Sequence, residues 1–268
     1  MDSNVELRFG KDYQEHFDTK AYLNDYLSGV SAEIVDYNHF IFRNFHDAWS
    51  KMPKKNLRIL EFGGGPKICD LISAEPYTEE IIFAEYSEKN RRAVEAWQQK
   101  SPDAHDWSPH FRFVVEYLEG KGSEEVCIRE AELRKKVTHI LPCDIGWEDP
   151  VKWPSSWPSQ SAMFDVVTTS LCLEAAVTSA EGYRHAIVKL RRYLKPGGFV
   201  LMFGVLGESF YMVGQEKFYC FPLSKDMIEE TLVKEGFQVL DLKLLTLDNM
   251  EPSCDAQAMF FLRAGIQN

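Results

Sequence analysis

No apolar run in this chain approaches the roughly 20 residues that a helix needs to cross a bilayer, so a membrane-spanning helix is not expected. The chain opens Met1-Asp2-Ser3-Asn4, without a basic stretch leading into an apolar core, and a secretory signal is not expected either. Positive charge is scarce: Lys and Arg number 30 against 41 Asp and Glu, a formal net charge of -11. A surface that negative repels phosphate backbones and anionic lipid, which argues against nucleic acid and membrane partners and favours a cationic small molecule. The six cysteines (Cys69, Cys127, Cys143, Cys172, Cys220 and Cys254) include no CxxC pair and no accompanying histidine cluster, so no metal site is expected. They read as reduced thiols and suggest a cytosolic protein, expected to act as a monomer. Internal repeats and low-complexity tracts are missing as well.

What is present is an alternation of short apolar strands with helical patterns. Strands are expected at 57–62, 81–84, 137–141, 164–170, 199–203, 238–245 and 258–263, with a weaker candidate at 111–115. Helices are expected at 31–49, from near Lys67, at 89–100, at 124–136, from 171 to about 194, and at 224–235. The succession predicts an α/β fold: a Rossmann-like, doubly wound, mostly parallel sheet of seven strands. No helical pattern separates the last two strands, so they should pair as a hairpin and give an antiparallel strand at the sheet's C-terminal end. The segment 149–160, with Trp153 and Trp157 among prolines, reads as a loop. Residues 1–50, rich in aromatics, read as an N-terminal helical lid within the same domain as the body at 51–268.

The first strand leaves through Glu61-Phe62-Gly63-Gly64-Gly65-Pro66. Glycines let the backbone take positive φ and let a ligand approach the main chain. The spacing is not GxGxxG, because Ile68 occupies the third glycine's place, and a tight strand exit also uses glycine for steric reasons alone. Glu85 follows the second strand, where a carboxylate accepts from ribose hydroxyls. Asp144 follows the strand at 137–141, where it can accept from an adenine amino group. Each acid alone reads equally as a solvated loop residue. Together at successive strand exits, beside a glycine turn, they suggest a ligand with ribose and adenine but without any need for phosphate. A dinucleotide oxidoreductase is disfavoured by the missing glycine.

This combination, with the later turn Lys195-Pro196-Gly197-Gly198, resembles the class I S-adenosylmethionine-dependent methyltransferases. The likeness extends to one small-molecule family, which contains nicotinamide, phenylethanolamine, indolethylamine and thioether methyltransferases. It is carried by Tyr13-Gln14-Glu15-His16-Phe17, Ala21-Tyr22-Leu23, Gly63-Gly64-Gly65-Pro66, Trp107-Ser108-Pro109, Leu171-Cys172-Leu173-Glu174-Ala175, Leu194-Lys195-Pro196-Gly197-Gly198 and Tyr211-Met212-Val213-Gly214. The resemblance implies S-adenosylmethionine as cofactor. It implies that Tyr13, Tyr22 and Tyr26 close over that cofactor, with tyrosine hydroxyls reaching the methionine carboxylate. It further implies Gly63, Gly64 and Gly65 at its amino-acid end, Glu85, Tyr86 and Asn90 at the ribose, and Asp144 with Ile145 at the adenine. The family usually has aspartate where Glu85 stands and serine where Gly64 stands.

For the methyl acceptor, Glu174 and Glu208 follow neighbouring strands and can face one cleft, and Asp255 precedes the last strand. Each is otherwise a surface acid. The phenylethanolamine enzyme has acids at all three places, whereas the nicotinamide enzyme has an aspartate and two serines where Gly204, Glu208 and Cys220 stand. The expected reaction is methyl transfer to the nitrogen of a small, arylalkylamine-like amine. Glu208 is the expected proton acceptor, Glu174 and Asp255 the anchors, and Leu171 and Tyr211 the walls. The alternatives are a pyridine such as nicotinamide, an indole amine, a thioether, or a catalytically silent S-adenosylmethionine binder.

Overall fold

The computed structural model describes residues 5–29, 37–157, 163–247 and 253–267. Residues 31–36 of the expected first helix and 158–160 of the expected loop lie outside these. Strand β1 (Leu7–Arg8) leads into helices α1 (Tyr13–His16) and α2 (Thr19–Leu27), the latter capped by Asp18, whose carboxylate accepts from the amides of Lys20 and Ala21. Helix α3 (Tyr37–Ser50) buries Phe42, Phe45 and Trp49 on one face. Each such ring stabilises the fold by about 1.5–3 kcal/mol relative to exposure, and together they make this helix part of the body.

Strands β2 (Leu57–Phe62), β3 (Thr78–Glu85), β4 (Val137–Pro142), β5 (Phe164–Ser170) and β6 (Leu194–Leu206) pair in parallel. Strands β7 (Phe210–Val213) and β8 (Glu216–Tyr219) form a hairpin, and β1 adds to it in parallel. Strands β9 (Phe237–Thr246) and β10 (Ala258–Ile266) complete the main sheet in the order β4-β3-β2-β5-β6-β10-β9. The hairpin of the last two strands is present, but the antiparallel member β10 is inserted one place in from the edge, between β6 and β9.

Side chains alternate across the sheet, as a strand's period of two requires. Ile59, Ile81, Phe83, Val166 and Phe203 face a core shared with α3, α4 (Glu88–Gln98), α5 (Ser108–Arg112) and α6 (Glu124–Lys136). Leu60, Ile82, Val167 and Met202 face the opposite core, shared with α7 (Leu173–Ala176), α8 (Ala180–Arg191) and α9 (Lys225–Lys234). No helix among the described residues is long and apolar enough to cross a membrane.

Two expected elements are different in the structure. Residues 111–115 belong to α5 and the π-helical turn Phe113–Leu118 that continues it. The buried Phe111, Val114 and Val115 with Leu118 recur at helical spacing, and Pro109 in the first turn favours helix initiation. The β-branched pair Val114-Val115 had suggested a strand. After the glycine turn no long helix follows: the crossover to β3 uses short 3-10 turns at Cys69–Leu71 and Glu75–Tyr77. Ile68, Leu71 and Ile72 pack in the same core as Phe42, Phe45 and Trp49, so α3, from before β2, fills the flank where that helix was expected.

Candidate active site

The carboxyl ends of β2, β3, β5 and β6 meet at a cavity of about 500 Å³, where ligands of an open parallel sheet bind. Two of the three glycines after β2 take positive φ, Gly63 at +68° and Gly65 at +63°. A Cβ at Gly63 would collide with the sulfur of Cys172. Gly63 and Gly65 line the cavity, but Gly64 does not. The side-chain direction at Gly64 runs into the ring of Phe83, which leaves no room for the serine usual at that place.

Glu85, 5% exposed, is the hub of this end. Its Oε2 accepts from the Gly65 amide at 3.0 Å, and its Oε1 accepts from the Ser87 amide at 2.8 Å and the Asn90 side-chain amide at 3.1 Å. The carboxylate therefore fixes the glycine turn while lining the cavity, with acceptor capacity left at Oε2. Tyr86 and Asn90 also line it. The lid reaches the same place: Thr19 Oγ1 donates to Asn90 Oδ1 at 2.7 Å, and Gln14 Nε2 donates to the Tyr86 carbonyl at 2.7 Å. Asp144 and Ile145 stand further along the wall; Asp144 accepts from the Gly146 amide at 2.7 Å, and Lys189 holds the Ile145 carbonyl at 2.8 Å.

The three lid tyrosines all line the cavity but differ in how they are used. The hydroxyl of Tyr13 is buried and, among the described residues, has no hydrogen-bond partner. That of Tyr26 donates to the Met212 carbonyl at 2.6 Å, which ties α2 to β7. Tyr22 packs between Phe17 and Tyr26. A second buried hydroxyl on the cavity with no partner among the described residues is that of Ser170, the last residue of β5. Buried polar atoms are rarely left unpaired, and both of these face the cavity.

At the other end Glu174 and Glu208 share an apolar chamber with Phe203, Val205, Tyr211 and Met259. Glu174 is 4% exposed and its Oε1 accepts from the Val205 amide at 3.2 Å. Burial pushes it up to about 7, the nearby charge of Glu208 adds to this, and backbone hydrogen bonds oppose it. Glu208, 6% exposed, is also pushed up to about 7 by burial, against the hydrogen bonds of the Cys220 and Cys254 thiols. Leu171 lines the cavity with φ +52°, a left-handed conformation unusual for a bulky residue and typical of strained functional sites. Tyr211 lies against Phe218, ring centroids 5.7 Å apart.

Asp255 is placed differently from the expectation. It does not line the cavity; its carboxylate accepts from the Ser209 amide at 2.7 Å, the Ser209 hydroxyl and the Phe210 amide at 3.1 Å. Burial disfavours its charge, but these bonds outweigh that and hold its pKa below the ordinary value. The fixed residues 209–210 directly follow Glu208.

Sequence reasoning passed over Lys67 and Asp70. Both line the cavity beside Gly65, exposed by only 6% and 5%, and they form a buried ion pair. A lysine two residues beyond a glycine turn was the available signal. Behind them Glu61 is bonded by Thr168 and pushed up to about 7, by burial first and by Asp70, with Lys67 opposing. Among the described residues no group of three or more His, Cys, Asp or Glu is disposed to hold a metal ion.

The model of the NNMT/PNMT/TEMT family matches residues 6–265. Indolethylamine N-methyltransferase of Mus musculus is 32% identical over 259 residues, covering 95% of each chain. Nicotinamide N-methyltransferase of Homo sapiens is 31% identical over 258 residues, covering 94% of each. Phenylethanolamine N-methyltransferase of Homo sapiens is 28% identical over 232 residues, covering 85% of this chain and 80% of that one. Solved structures share the fold: a glycopeptide N-methyltransferase complexed with S-adenosyl-L-homocysteine superposes with a TM-score of 0.51 at 14% identity, covering 92% of this chain and 97% of that one. A SAM-dependent methyltransferase from Methanosarcina mazei gives a TM-score of 0.52 at 11% identity, covering 80% and 93%.

Proposed function

The chain belongs to the NNMT/PNMT/TEMT family of S-adenosylmethionine-dependent N-methyltransferases, and from that premise we propose that its acceptor is a small primary or secondary amine with an apolar body. Identity alone does not choose the acceptor, because relatives named for three different ones fall within 28–32%. The observation that carries the reading is the pair Glu174 and Glu208, two buried carboxyls in one apolar chamber. Such a pair repels carboxylates and offers a cation its counter-charge.

Gly204 supports the same choice. A Cβ there would stand 2.6 Å from Glu174 Oε1 and 2.7 Å from the Phe260 ring. An aspartate at this place, as the resemblance assigns to the nicotinamide enzyme, would therefore push Glu174 and Phe260 from their present positions. Here the glycine makes room for the glutamate.

The cofactor fits the other end, where Glu85 with Asn90, Asp144 and the buried hydroxyls of Tyr13 and Ser170 supply acceptors and donors. S-adenosylmethionine, when bound, supplies a methyl group on a sulfonium that leaves as a neutral thioether. Glu85 and Asn90 would hold its ribose hydroxyls, and the lid residues Tyr13, Tyr22 and Tyr26 would exclude water. Glu174 and Glu208 bind the amine as its ammonium ion. Nucleophilic attack needs a free lone pair, so one carboxylate also takes the proton, and Glu208 has the role. Its carboxyl, raised to about 7, is matched to proton transfer near neutral pH. Holding nitrogen and methyl in line supplies the remainder of the acceleration. Asp255 acts through Glu208, by fixing the backbone that follows it.

Mass spectrometry of the products from a mixed panel of arylalkylamines, pyridines and sulfides tests the reading. N-methylated amines are expected. Turnover confined to pyridines or sulfides refutes it.

A further inference from the structure

Lys67 is a cation buried in the wall of a cavity built for a positively charged sulfonium, and that placement calls for a reason. Its ammonium carries three donors, and among the described residues Asp70 is its one hydrogen-bond partner. The remaining donors sit at the cavity wall beside Gly65, in a place 6% exposed, where an unsatisfied donor is costly. Burial disfavours the charge, but Asp70 and Glu61 outweigh it and keep the lysine protonated.

Asp70 already balances the charge of Lys67, so what the ligand has to bring is an acceptor for the remaining donors. The acceptor amine brings positive charge and belongs with Glu174 and Glu208. S-adenosylmethionine carries no phosphate; its one anionic group is the α-carboxylate, next to an α-ammonium. We infer that the Lys67–Asp70 pair is the clamp for the amino-acid end of the cofactor, Lys67 binding its carboxylate. The pair presents one charge of each sign, the complement of a zwitterion. An ion pair that only braces the fold has no need to lie on the cavity, and neutral hydroxyls such as those of Tyr13 and Ser170 cannot replace a full charge in a dry site. The inference rests on the cofactor assignment and makes Lys67 a binding residue in addition to those the sequence pointed to.

Calorimetry without turnover separates the possibilities. The wild-type protein is titrated with S-adenosylhomocysteine, with its α-carboxamide, which lacks the negative charge, and with 5′-methylthioadenosine, which lacks the amino acid. Wild type should bind the carboxamide at least about tenfold more weakly than the acid. The variant Lys67→Met/Asp70→Asn, which removes both charges together, should shrink that preference to about twofold or less while leaving affinity for 5′-methylthioadenosine unchanged. Lys67→Gln, with thermal melting followed in parallel, gives the same comparison should the double variant not fold. A wild type indifferent to the carboxamide overturns the inference, as does a folded variant that keeps the acid preference or loses all three ligands equally. A wild type that binds none of the three overturns the cofactor assignment itself, an outcome distinct from these.

Discussion

Glu208 and Gly204 are the residues at which the proposed chemistry is most exposed to test. Glu208 acts as a base only when ionised, so kcat/KM for an amine should rise with pH through about 7, following its raised pKa. Glu208→Gln should lower kcat/KM by about 10²-fold or more, the residual activity still rising with the ionisation of Glu174. An unchanged kcat/KM in this variant removes Glu208 from the mechanism. At Gly204, an alanine methyl would press on Glu174 Oε1 and on the Phe260 ring. Gly204→Ala should therefore raise KM for the amine by about tenfold, as a displaced charge partner does, while calorimetric affinity for S-adenosylhomocysteine stays constant. Equal loss of both ligands would mean a general collapse of the site.

Among the elements, the lid is the informative one. Helix α2 is fastened to β7 by the Tyr26 hydroxyl, and β1 to β8 by strand pairing and by Arg8 Nε on Glu216 Oε2 at 3.0 Å. Tyr26→Phe removes one such tie, about 1 kcal/mol. It should speed release of S-adenosylhomocysteine by about fivefold in stopped-flow fluorescence with little change in Tm; an unaltered release rate would mean that the lid opens elsewhere. Elements also show where reading the sequence stops. The strand 57–62 is mostly apolar and ends in the glycine turn, and 164–170 is rich in β-branched residues, so both are legible alone. Residues 111–118 are not, because their β-branched residues favour a strand locally while burial follows the helical period. The missing helix after Gly65 is a matter of occupancy: α3 holds that flank.

For the whole molecule, burial of three carboxyls makes an unusual pH dependence. Glu61, Glu174 and Glu208 are each raised from 4.5 to about 7. Between those values the unfolded chain is ionised while the folded protein holds the protons. Their stabilising contribution is complete below about 4.5 and is lost as pH rises through about 7. His110 is buried and lowered from 6.5 to about 4, chiefly by desolvation, and opposes this by favouring the folded state as pH rises from about 4 to 6.5. His105, half-buried and lowered from 6.5 chiefly by desolvation, opposes it in the same sense; three carboxyls outweigh two histidines, so Tm of the ligand-free protein should fall between pH 5.5 and 8. Glu174→Gln/Glu208→Gln should flatten that fall and raise Tm at pH 8. A Tm that climbs across this range would show that the chamber is wet enough to leave both acids ionised.

The sequence by itself determined the seven-stranded α/β sheet and the glycine turn, because apolar periodicity and turn residues act over a few positions, and its motifs carried the family resemblance. It also pointed to Glu85, Glu174 and Glu208, which follow strand ends whose direction topology fixes. Tertiary structure alone decided that Asp255 braces the chain after Glu208, that Gly64 backs onto Phe83, and that Lys67 and Asp70 pair inside the cavity wall. These depend on which side chains meet across distant segments, and only the closed packing of the chain sets those meetings.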